Sequence, residues 1–168
     1  HVGWRMRLLR RSLSPYAIER DGRDNRLMRS VIASALTPNS SCVDVGANHG
    51  HHLDQMVRCA PRGHHIAFEP LPELVGLLES QFPMVDVRQV ALSKEAGNAS
   101  FIRMSGSVGY SGLNPRDQPK GATAQKIAVR VSTLDKEIPQ DFVPALIKID
   151  VEGAEADVLE GGLETLGR

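Results

Sequence analysis

Cys42-Val43-Asp44-Val45-Gly46-Ala47-Asn48-His49-Gly50 reads as a short buried strand that ends in an acid and breaks into a glycine turn. The residues that follow place Leu53, Met56, Val57 and Ala60 on one face at helical spacing. Strand, glycine turn and helix N-terminus together make a cradle for a nucleotide-type ligand, because unpaired backbone amides are expected to point at the ligand there.

Outward from this stretch the chain alternates. A helix is expected from Asn25 to Leu36, closed by Thr37-Pro38-Asn39-Ser40. The first strand covers Ser41–Val45 and the next helix His51 to Cys59. His65–Glu69 forms a second strand halted by Pro70, and Pro72 to Gln81 a helix carrying Leu74, Val75, Leu77 and Leu78. Val85–Val90 is a third strand leading into Ala91-Leu92. Ala145–Asp150 is a fourth, and Glu152-Gly153-Ala154-Glu155 opens a last helix with Val158, Leu159 and Leu163 facing inward. Such alternation with short links predicts an α/β fold with a mainly parallel sheet covered on both faces. Between Ala99 and Val131 the pattern is interrupted by a hairpin, Ala99–Met104 and Lys126–Val131. The glycine- and serine-rich loop between its strands, Ser105 to Ala124, is a candidate lid or binding loop.

Composition narrows the function classes. The 168 residues suffice for one domain and carry no formal net charge, which argues against a dedicated nucleic-acid binder. No apolar run approaches the ~20 residues of a membrane span. No secretory signal is legible, and Cys42 and Cys59 read as small buried hydrophobes of a reducing compartment, so a cytoplasmic protein is expected. Residues 1–24 read as a basic extension with Arg5, Arg7, Arg10 and Arg11, and 25–168 as the ligand-binding domain.

Three acids, Asp44, Glu69 and Asp150, fall at the C-terminal ends of parallel strands, where ligands of open parallel sheets bind. Glu69 follows Gly50 by about 19 residues, the spacing at which an acid accepts hydrogen bonds from ribose hydroxyls. A nicotinamide dinucleotide and S-adenosylmethionine both satisfy this much. The dinucleotide fingerprint needs three glycines, whereas Gly46 and Gly50 stand alone, so the shorter turn favours S-adenosylmethionine. His49, His51 and His52 have no recognised metal-ligand spacing, and no metal is expected.

In order, Asp44 to Gly50, Phe68-Glu69-Pro70, Ser111-Gly112-Leu113, Thr133-Leu134-Asp135 and Lys148-Ile149-Asp150-Val151-Glu152-Gly153-Ala154-Glu155 resemble the motifs of the FkbM-type methyltransferases. The likeness spans roughly residues 25 to 166. It implies the Rossmann-like methyltransferase fold and S-adenosylmethionine-dependent O-methylation of a small-molecule hydroxyl, on a sugar, polyketide, lipid or similar compound. Carried over by motif, Asp44, Gly46, Ala47, Asn48 and Gly50 hold the methionine end of the cofactor, and Glu69 its ribose. Ala91 and Leu92 border the adenine, and Asp150 is the first candidate for the group that takes the acceptor's proton. Glu152, Glu155 and the histidines are the other candidates, and Lys148 is expected to pair with a nearby acid. Family members continue with further strands after the Glu-Gly-Ala-Glu helix. The chain is therefore expected to be truncated after the fourth core strand, leaving an edge that invites self-association.

Overall fold

A computed structural model describes residues 15–105, 111–113 and 123–168. The first helix, α1, spans Pro15–Ala35, so it begins earlier than the expected Asn25. The arginines from Arg5 to Arg11, and most of the loop from Ser105 to Ala124, lie outside the described residues.

Four short parallel strands form the main sheet: β1 (Cys42–Val45), β2 (His65–Phe68), β3 (Asp86–Arg88) and, last in the chain, β7 (Leu146–Ile149). Their spatial order is β3-β2-β1-β7. All eight residues of β1 and β2 are buried, as strands covered on both faces must be. From β1 the chain steps outward to β2 and β3, through helices α2 (His51–Cys59) and α3 (Pro72–Gln81), then returns to the other side of β1. The order reverses between β1 and β7, and the crevice beyond their C-terminal ends is where such sheets place ligands.

Helices cover both faces. On one, Val43, Val45, Ile66 and Phe68 pack against Leu134 and Ile138 of the α4 region (Leu134–Glu137) and Val158 of α5 (Glu155–Glu160). On the other, Cys42 and Ala67 meet Ile32 of α1, Leu53 and Met56 of α2 and Leu78 of α3. Burial, with Cys59 and Asp44 nearby, pushes the Cys42 thiol up to about 12, so it packs as an inert apolar group.

The expected third strand is shorter than its apolar run. It ends at Arg88, where the Val90 N–H donates back to the Arg88 carbonyl at 3.0 Å and bends the chain out of the sheet. Ala91–Leu92 (β4) consequently joins a second sheet, order β4-β6-β5, running parallel to β6 (Thr123–Ser132). β5 (Gly97–Ser105) and β6 form the expected hairpin, extended at both ends. Phe101, Val129 and Val131 of this sheet pack on Leu71 and Leu74, joining the hairpin to the main body.

The last helix also departs from expectation. It starts at Glu155, because Glu152 and Gly153 adopt left-handed backbone, φ 55° and 105°. Gly161-Gly162 then splits it from α6 (Leu163–Leu166), and glycine pairs sustain helix poorly. The buried face runs through Ala154, Val158, Gly161, Gly162 and Thr165, so Val158 is buried while Leu159 and Leu163, expected to face inward, lie on the opposite face, 45% and 68% exposed. Among the described residues no helix is long and apolar enough to cross a membrane. The whole is an α/β fold of Rossmann-like order: a parallel sheet between helices, with an inserted β-hairpin.

Candidate active site

A cavity of about 460 Å³ opens where the strand order reverses. The ends of β1, β2 and β7 form one side through Val45, Phe68 and Asp150. The second sheet forms the other, through Ala91, Leu92 and Phe101. Ser111 and Leu113 close a third side. Gly112 pairs with Ile102 by two backbone bonds, 2.9 and 3.1 Å, and a Cβ there would come within 3.0 Å of the Glu152 carbonyl. A side chain there would press on the turn after β7, which glycine lets the strip approach closely.

The glycine turn is the floor. Gly46 has φ 75°, and a Cβ on it would fall 2.0 Å from the Asp150 carbonyl oxygen. β1 and β7 thus approach through the one residue type that permits it. The expectation of unpaired amides here needs correction. Gly46 and Ala47 both donate to the Phe68 carbonyl, at 3.0 and 3.1 Å, and Gly50 donates to Ala47. Asn48 donates to Glu69 Oε2 at 2.9 Å. The turn is a backbone wall with these four donors already taken, three by acceptors at the end of β2 and the fourth within the turn itself.

Glu69 is 4% exposed and lines the cavity. Its other oxygen accepts the Leu71 N–H at 3.0 Å, so one carboxylate ties the glycine turn to the chain leaving β2. Burial raises its pKa, against the lowering effect of those hydrogen bonds. Each oxygen accepts one N–H and retains capacity for a hydroxyl donor.

Gly46, Ala47, Asn48, Glu69, Ala91, Leu92 and Asp150 all line the cavity. Asp44 and Gly50 do not. Asp44 is fully buried behind the turn with Lys148 Nζ 3.0 Å from its Oδ1, and Gly50 backs onto Leu78 and Phe82. The Asp150 side chain is 60% exposed. Glu155, another acid considered for proton transfer, accepts the Gly153 N–H at 3.0 Å and anchors the turn. His52 lines the cavity with its Nε2 buried and without a hydrogen-bond partner among the described residues. Burial first, then the Lys148 charge, lowers the His52 pKa and favours neutral imidazole. His51 meets Arg29 of α1 at 3.1 Å. Among the described residues no group of His, Cys, Asp or Glu is arranged to hold a metal.

Sequence reading missed the apolar wall of Phe68, Leu74 and Phe101, and Asn25 of α1. The alternation along β5 was the available signal for Phe101; Asn25 had none.

The family described as Methyltransferase FkbM domain matches residues 44–168. The 2-O-methyltransferase NoeI of Sinorhizobium fredii is 26% identical over 84% of this chain and 65% of its own length. Methyltransferase sdnD of Sordaria araneosa is 29% identical over 75% of this chain and 61% of its own. The chain thus spans slightly under two thirds of these relatives. A solved amino pentose methyltransferase, CalS10 of Micromonospora echinaspora, is 22% identical, with a TM-score of 0.31 over 45% of this chain and 34% of that one, too slight a likeness to carry weight. With the family matched from the end of β1 to the last residue, the chain belongs to the FkbM methyltransferases.

Proposed function

We propose that the cavity binds S-adenosylmethionine and that the protein transfers its methyl group to a hydroxyl of a small molecule such as a sugar, polyketide or lipid. The observation that carries this reading is Glu69: a buried carboxylate at the end of β2, braced by two backbone donors and facing the cavity. It has acceptor capacity for a ribose diol, and the apolar wall of Ala91, Leu92 and Phe101 suits a flat base. The wall from Gly46 to Asn48, which has no room for a Cβ at its first residue, suits close approach of the amino-acid end. Hydroxyl acceptors are favoured by the relative named as a 2-O-methyltransferase.

The cofactor supplies an already activated sulfonium methyl, so the protein's task is chiefly alignment of the acceptor oxygen. Asp150 extends into the cavity beyond β7, where its carboxylate would take the hydroxyl proton as the new bond forms. Glu155 holds the turn that presents it.

The test is transfer of a labelled methyl group from S-adenosylmethionine to a panel of hydroxylated acceptors. Asp150→Asn is expected to lower kcat by about 10²–10⁴ while cofactor affinity stays unchanged. A variant as fast as the wild type would remove Asp150 from the proton's path.

A further inference from the structure

A buried cation lies beneath the glycine turn, and the reaction outlined above makes no use of it. Lys148 sits directly opposite Asp44 in the register of β1 and β7. Its side chain is 5% exposed, and that of Asp44 is wholly buried. An ammonium has three donors. The Lys148 ammonium donates to the Gly46 carbonyl at 2.8 Å and to the Val45 carbonyl at 3.4 Å, and it forms an ion pair with Asp44, whose Oδ1 lies 3.0 Å away. Asp150, on the same face of β7's end, has its Oδ2 3.9 Å from the same nitrogen.

Stability alone does not account for this pair. Well-packed apolar residues in place of a buried ion pair are commonly as stable or more so. Lys148 also lines the cavity, yet both its hydrogen bonds run to backbone carbonyls of the β1 end and its ion pair to Asp44, which suits it to holding the turn. Gly46 is the residue on which any shift would tell, since its carbonyl accepts from Lys148 while a Cβ on it would fall 2.0 Å from the Asp150 carbonyl oxygen.

Resting on the reading of the cavity as a cofactor site, we propose that Lys148 is a positioning residue for the amino-acid end of S-adenosylmethionine. Its ammonium pins the Gly46 carbonyl, and with it the wall from Gly46 to Asn48. The Asp44 charge keeps that ammonium in place.

Two ligands separate this role from a structural one. S-adenosylhomocysteine has the amino-acid end, and 5′-methylthioadenosine lacks it. Lys148→Met alone leaves Asp44 buried without its counter-charge and is expected to lower Tm. The double variant Asp44→Asn/Lys148→Met removes both charges and is expected to recover most of that Tm. It should bind 5′-methylthioadenosine like the wild type while S-adenosylhomocysteine weakens about tenfold or more, because the Gly46 anchor is gone. Wild-type affinity for S-adenosylhomocysteine in the double variant would overturn the proposal, leaving Lys148 only to balance Asp44. Equal weakening of both ligands, or failure of the double variant to fold, would equally assign the pair a purely structural role. A wild-type protein that binds neither ligand would instead sink the cofactor reading itself.

Discussion

At the scale of single residues, the site depends on a few groups with no room to change. Gly46→Ala combines left-handed backbone, a cost of about 1–3 kcal/mol, with a Cβ placed on the Asp150 carbonyl. The expected result is a lower Tm and a loss of S-adenosylhomocysteine affinity of about tenfold or more, read by thermal melting and calorimetry. Unchanged values would mean that β1 and β7 part easily and that the turn is not the floor of the site. Gly46 and Glu69 were legible in the sequence because a tight turn and a strand-end acid leave local signatures. The Lys148–Asp44 pair was legible only as an expectation of some acidic partner for Lys148. Which acid it meets depends on strand register, and that is set by residues a hundred positions apart. The fate of the turn amides was also hidden, since the Phe68 carbonyl that takes two of them belongs to the next strand.

At the scale of elements, boundaries were harder to read than existence. β1, β2 and β7 were legible as compact apolar runs, whereas the Arg88–Val90 bend rests on one backbone hydrogen bond with no side-chain signal. α6 is likewise held by a distant group: Asp135, in the α4 turn, accepts the N–H of Glu164 at 3.1 Å and of Thr165 at 2.7 Å. Burial alone would raise the Asp135 pKa; hydrogen bonds from Thr165 and Glu164 more than offset it and hold the carboxyl below its usual range. Its stabilising effect is present above the unfolded value near 4 and is lost as pH falls through the lower folded one. Asp135→Ala leaves both donors without their acceptor, at a cost of about 1–3 kcal/mol. Tm is expected to fall by about 2–4 °C for each kcal/mol, as followed by circular dichroism. A variant melting with the wild type would show that α6 holds its place through packing alone.

At the scale of the whole molecule, the cavity is the gap between two sheets. The parallel sheet supplies the charged and glycine-rich floor, and the hairpin sheet, joined through β4, supplies an apolar wall. The inserted hairpin therefore lines the cavity through Phe101, whereas the sequence singled out only the loop between its strands. Buried titratable groups at this junction make stability depend on pH. His52 is faced by Lys148, Asp44, Asp150 and His51, and its folded pKa lies below the unfolded value of about 6.5. The unfolded chain therefore takes up that proton first, so stability present above pH 6.5 is lost as pH falls through the folded pKa. Tm should decline from about pH 7 towards pH 5, and His52→Gln should flatten the decline. An equal slope in the variant would place the linked proton elsewhere.

Calorimetric titration of the chain with S-adenosylhomocysteine, run beside NAD, tests most directly whether this cavity takes S-adenosylmethionine. Saturable binding of S-adenosylhomocysteine at one site, with no heat from NAD, is the expected result. A folded sample that takes up NAD and leaves S-adenosylhomocysteine free would contradict it.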